Sequence, residues 1–125
     1  MAERLAALIK ESPGRLVIVL TGNIHNRLTT GMRWNPNLEP MAYLLKRLVP
    51  ERELVSLIMT HSGGEAWVCM SGDASDCGAR SMKGSPANGA GVLLAPDTAG
   101  GAYSGRFFVG KITASPPARS GRPTR

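Results

Sequence analysis

His25 and His61 are the only histidines in this 125-residue chain. A neutral imidazole is the commonest metal ligand and a general base near neutral pH, so the surroundings of these two decide what chemistry is open. His25 follows Thr21 in the string Gly22-Asn23-Ile24-His25, and His61 directly follows Thr60. Each stands just past an apolar run rich in β-branched residues, Leu16–Leu20 and Leu54–Met59. Ligands of open α/β sheets bind beyond the carboxyl ends of the strands. If the two runs are neighbouring strands, both imidazoles emerge on one such edge and can share a divalent metal or a substrate. Gly22 suits a sharp turn because it tolerates positive φ and lets a ligand approach the backbone. Asn23 can hydrogen-bond within the same turn. Plainer alternatives stand beside these. His25 can close a loop onto backbone, His61 can face solvent at a strand end, and Gly-Asn is a common turn pair.

The elements that must position these residues follow from periodicity. Leu5, Leu8 and Ile9 sit at i, i+3 and i+4 among good helix formers, which predicts a helix over 2–11. Ser12-Pro13-Gly14 stops it. Leu16-Val17-Ile18-Val19-Leu20 is continuously apolar, as a strand covered on both faces requires, and predicts a strand over 15–21. Gly22 to Glu39 reads as a loop. Pro40 fits the first turn of a helix over 40–49, with Met41, Leu44, Leu45 and Leu48 as its stripe, and Pro50 ends it. A second buried strand is expected over 54–60. The order contains a βαβ unit, with parallel strands and a right-handed crossover.

The expected class is therefore α/β: a βαβ unit of a three-layer parallel-sheet domain, filling residues 1–70. Two buried strands cannot cover both faces of their own sheet, so this half-domain is incomplete. It calls for a missing N-terminal half or a homo-oligomer. Residues 71–105 are rich in Gly, Ser and Ala and read as irregular. Residues 106–125 hold a short apolar patch, Arg106-Phe107-Phe108-Val109, and then a basic Pro/Arg tail with nothing to bury, expected to be disordered.

Composition narrows the partners. The formal net charge is +6, yet residues 106–125 contribute five basic residues and no acid. The rest of the chain is nearly neutral, with ten basic residues against nine acidic. Only 5% of residues are aromatic, and the ordered part lacks stacking platforms interleaved with basic residues, so nucleic acid is not an expected partner. No apolar run approaches the roughly 18 residues of a transmembrane helix. No secretory signal opens the chain, which gives a cytoplasmic location by default.

The arrangement Leu16–Thr21, Gly-x-x-His, Gly31, Pro40-Met41-Ala42-Tyr43-Leu44-Leu45 and Leu54–Met59 resembles the C-terminal half of the haem-binding-uptake/Tiki superfamily. That superfamily includes ChaN-like, TraB-like and erythromycin-esterase-like proteins and the Tiki proteases. The resemblance covers Met1 to about Trp67. It implies an α/β domain in which the Gly-x-x-His histidine lines the site, here His25 as catalytic base or ligand, with Gly22 as the motif glycine. It also implies a divalent metal or haem as cofactor, a small-molecule or haem ligand, and hydrolysis as one outcome. The superfamily's paired glutamates have no counterpart in this chain. Glu39 and Glu65 are the nearest acids, and exposed loop glutamates are usually solvated. Tyr43 matches no motif position and reads as a core or partner-facing helix residue.

The loop after His25 holds Trp34 with Arg27 and Arg33. A loop of about eighteen residues is usually functional or disordered. Trp34 could cover a ligand, and the arginines could hold a haem propionate or a carboxylate. The alternative is a solvated loop with the indole folded onto the domain. Cys69 and Cys77 admit three readings: free thiols by default, a disulfide around the polar loop in an oxidising compartment, or a zinc site with His25 and His61, for which the spacing is poor. Trp67 is expected to cap the sheet edge. Two functions stand open: a metal- or haem-handling, hydrolase-type domain with His25, Gly22, Asn23, Arg27 and Trp34 at its site and His61 as second metal ligand, or a truncated non-catalytic binding or structural module that needs a partner chain.

Overall fold

The computed structural model describes residues 1–71, 73–85, 91–95 and 100–115. The expected disordered tail lies, from residue 116 onward, outside the described residues. The fold is mixed α/β and divides into two compact units, Met1–Met59 with Val92–Phe107 and Thr60–Gly91 with Phe108–Arg125.

The first unit opens with α1 (Ala2–Glu11), matching the helix expected from the apolar spacing. Glu3 in its first turn and Lys10 in its last complement the helix dipole. Ten residues are too few for a stable isolated helix, so α1 depends on what it packs against. That partner is α2 (Met41–Lys46). Ala2, Met41 and Leu45 are buried at the centre of the contact, with Leu5, Ala6, Ile9, Leu44, Val49 and Leu54 around them. The second helix is shorter than the stretch 40–49. Pro40 is its N-cap, and its end tightens into three-residue turns, Arg47 N–H to Leu44 C=O (3.2 Å) and Leu48 N–H to Leu45 C=O (2.8 Å). Pro50 explains this, since the residue before a proline is steered away from helix.

The expected strand over 15–21 does not form, and with it goes the expected βαβ pairing. The second run supplies a strand only over β1 (Leu57–Thr60), flanked by a 3-10 turn at Glu51–Glu53. In the three-stranded sheet β1 lies beside β5 (Gly105–Phe108), which in turn pairs with β4 (Gly91–Leu94). The partner of β1 thus comes from the apolar patch near the end of the sequence. A strand is defined by its ladder, and residues 15–21 have none; apolar continuity alone does not supply one.

The second unit is built on a hairpin, β2 (Gly63–Cys69) against β3 (Cys77–Lys83), antiparallel from Gly63↔Lys83 to Cys69↔Cys77. Residues 71–105, expected to be irregular, therefore contain β3 and β4. Cys69 and Cys77 form a disulfide, in place of the free thiols expected by default, and it ties the loop end of the ladder. Within the loop it closes, the Asp73 carboxylate accepts the Ser75 N–H (2.8 Å). That backbone bond, then the Ser75 hydroxyl, holds the Asp73 carboxyl below its ordinary range. The turn is therefore favoured above the usual carboxylate pKa and loosens as pH falls through the lowered one.

A parallel ladder completes the unit. Val109 N–H donates to Thr60 C=O (3.0 Å), Ser62 N–H to Gly110 C=O (2.9 Å), and Ile112 N–H to Gly63 C=O (3.0 Å). Gly64 pairs with Ile112 at φ +125°, and a Cβ there would overlap the Ile112 carbonyl. Gly64→Ala is expected to destabilise the protein by about 2 kcal/mol or more, read as a lowered urea midpoint. Replacing both Cys69 and Cys77 by Ser should cost about 2 to 3 kcal/mol by releasing a short loop, measured the same way under non-reducing conditions.

Candidate functional site

The Gly-x-x-His string folds as a tight turn. His25 N–H donates to Gly22 C=O (3.0 Å), and Arg27 N–H to Ile24 C=O (3.3 Å). Its backbone is then tied to the rest of the first unit from several sides. Ala42 N–H donates to His25 C=O (2.9 Å), which sets the turn against the start of α2. Leu28 N–H donates to Ala102 C=O (2.8 Å). The Tyr103 hydroxyl donates to Asn23 C=O (3.0 Å), and the buried Ser56 hydroxyl donates to Asn26 C=O.

Asn23 makes the most specific contact. Its side-chain Nδ2 donates to Met59 C=O (3.2 Å) while its Oδ1 accepts Met59 N–H (3.1 Å). Both backbone groups of one β1 residue are thereby satisfied by a single amide, in the way a neighbouring strand would satisfy them. Asn23 thus acts across to β1, and among the described residues its side chain makes no hydrogen bond within its own turn, where one was expected.

Gly22 does not play the part assigned to it. Its φ is not positive, and no atom of the described residues lies within 4 Å of where a Cβ would stand. The turn achieves its reversal without a left-handed residue, so Gly22 is a convenience and not a requirement.

The chemistry-bearing side chains are divided between the two units. His25 is exposed, and its imidazole makes no hydrogen bond among the described residues. His61 belongs to the second unit and uses Nδ1 to accept the Gly63 N–H (3.1 Å), a strand-end backbone cap. Among the described residues no three His, Cys, Asp or Glu side chains converge as a metal site. The disulfide removes Cys69 and Cys77 from zinc ligation with the histidines. Glu39 reaches Arg47 only loosely (3.9 Å), both well exposed, and Glu65 is exposed on the hairpin.

Arg27 is the best-held cation. Its guanidinium lies 6.0 Å over the Tyr103 ring and donates through Nη2 to Thr29 Oγ1 (3.1 Å). Its Nε is enclosed, with no hydrogen-bond partner among the described residues. Trp34 stands apart at 65% exposure. It tips a self-contained turn in which Met32 and Asn35 pair with each other and Gly31 N–H donates to Leu38 C=O (2.9 Å). A shallow groove runs between α1 and α2, lined by Met1, Ala2, Glu3, Leu44, Arg47 and Leu48, and it contains none of these candidates.

Ser56 and Tyr103 were not singled out by sequence. Ser56 carried a signal, a polar residue inside the apolar run Leu54–Met59. Tyr103 carried none, because its partner Asn23 is 80 residues away. Comparison with known proteins finds no match: no family model, curated protein or solved structure is similar to the chain.

The turn's two lead residues should respond unequally to substitution by alanine. Gly22→Ala is expected to change stability by less than about 0.5 kcal/mol. Asn23→Ala, which strands both backbone groups of Met59, should cost about 1 to 2 kcal/mol. Paired urea titrations check both.

Proposed function

We propose that this chain is a non-catalytic binding module whose fold is completed by a partner chain. The observation that carries this reading is the segment Leu16–Leu20. Leu16, Ile18 and Leu20 are 86%, 83% and 97% exposed. Among the described residues no backbone hydrogen bond involves residues 16–21. A soluble chain rarely leaves three consecutive same-face aliphatic side chains in water beside an unpaired backbone unless something covers them.

The rest of the molecule supports the reading. Among the described residues no large side chain is fully enclosed, and the buried apolar set is small: Ala2, Met41, Ala42, Leu45, Ala102 and Tyr103. Among the described residues neither histidine is paired with a carboxylate that would orient it as a general base. The turn around His25 is instead held through its backbone, which is what a scaffold requires.

Two measurements test this. Ile18→Lys should leave the unfolding midpoint of the dilute chain within about 0.5 kcal/mol of the parent, because the site is solvated there. A loss of several kcal/mol would place the segment in this chain's own core and end the proposal. Titration with Zn²⁺ and with haem should give the same weak, non-stoichiometric response for the parent and for His25→Ala. Stoichiometric uptake that disappears in His25→Ala would return the site to metal or haem chemistry.

A further inference from the structure

Resting on that reading, we infer that the partner is a second copy of this chain, joined by antiparallel pairing of Leu16–Leu20 about a two-fold axis at Ile18. Three observations meet on this segment. The first is its sequence: Leu16-Val17-Ile18-Val19-Leu20 reads the same in both directions. Antiparallel pairing centred on Ile18 sets Leu16 opposite Leu20 of the other copy, Val17 opposite Val19, and Ile18 opposite itself. A two-fold contact sets residue i against j and j against i, and here the palindrome makes every opposed pair alike in size and shape, Leu with Leu, Val with Val and Ile with Ile. Cross-strand pairs of β-branched and aliphatic residues are the unit of stabilisation in such a ladder.

The second is conformation. Exposure alternates along the segment, high at Leu16, Ile18 and Leu20 and lower at Val17 and Val19 (39% for the latter), the two-residue period of an extended chain. Its backbone donors and acceptors are unengaged among the described residues, so the ladder needs no bond to be broken first.

The third is charge. Arg15 is the one charged residue at the segment's ends, since Thr21 closes the other. Antiparallel pairing places Arg15 opposite Thr21 of the other copy and holds the two guanidinium groups about 20 Å apart at the strand rise of roughly 3.4 Å per residue. A parallel, in-register pair would set Arg15 beside Arg15 at about 4.8 Å. Like charges directly opposite are destabilising, so the charge selects the antiparallel, closed arrangement over a parallel stack.

The contact is a short ribbon, at the low end of interface size, so association is expected to be weak and concentration-dependent. Light scattering coupled to size exclusion on the full chain, from about 10 μM to 1 mM, should show a monomer giving way to a dimer. Ile18→Lys, which juxtaposes two ammonium groups on the axis, should leave a folded monomer throughout. Cysteine substitutions then fix the register. Ile18→Cys should cross-link to itself under mild oxidation. Leu16→Cys alone should not, while a mixture of Leu16→Cys and Leu20→Cys chains should give the heterodimer. A parent chain that stays monomeric to 1 mM overturns the pairing, while leaving the partner-completed reading to stand on the behaviour of Ile18→Lys. Efficient self-cross-linking of Leu16→Cys, or growth into thioflavin-positive fibres in place of a dimer, also overturns it.

Discussion

One side-chain amide, that of Asn23, determines what the larger unit can and cannot build. By bonding both the N–H and the C=O of Met59, it occupies a rung of β1 that a neighbouring strand would otherwise use. The chain before it therefore reaches β1 through a side chain and not through a ladder. Tyr103 and Ser56 lock the same turn through the Asn23 and Asn26 carbonyls. The βαβ arrangement needed Leu16–Leu20 in the sheet beside the second apolar run. With the turn fixed as it is, β5 pairs with β1, and Leu16–Leu20 is left without a place in the sheet.

The energetic consequence is uneven. A net intramolecular hydrogen bond contributes about 1 kcal/mol, so the ties to the turn position it more than they stabilise the unit. Covering a Leu or Ile side chain contributes about 1.5 to 3 kcal/mol, and the three most exposed of these sit together at Leu16, Ile18 and Leu20. The groove between α1 and α2 offers nothing comparable, since it mixes Glu3 and Arg47 with its apolar lining. The largest unrealised stabilisation in the described residues is thus concentrated on one strand-length stretch.

Local features were legible in the sequence and long-range ones were not. The spacing of Leu5, Leu8 and Ile9 gave α1 with its correct ends, because helix bonds are made within the segment that shows the pattern. Leu16–Leu20 carried the strongest strand signal and became no strand, because pairing depends on a partner elsewhere. The hairpin of β2 and β3 was hidden among glycines and small residues, and of it only a disulfide around the polar loop between Cys69 and Cys77 was among the readings the sequence offered. At the candidate site, the turn around His25 was foreseeable in outline. That Asn23 would meet Met59, and Tyr103 would meet Asn23, was not, since these contacts span 36 and 80 residues.

Charge distribution bears on what can approach the exposed segment. Edge strands in natural proteins are usually guarded by an inward lysine, a proline or a bulge. Leu16–Leu20 has no such guard within it, only Pro13, Gly14 and Arg15 before and Gly22 after. Those flanks bound the pairing to about six residues, too short for a stable ribbon alone and suited to a contact that supplements a folded unit. The rest of the sequence opposes association little, because residues 1–105 are balanced to within one charge and the excess sits in residues 106–125. At ordinary ionic strength, interactions between exposed charges fade over about 10 Å, so the lone Arg15 acts on register at close range and not on encounter at long range. The same residue that leaves the edge unguarded against one antiparallel copy guards it against an unlimited parallel stack.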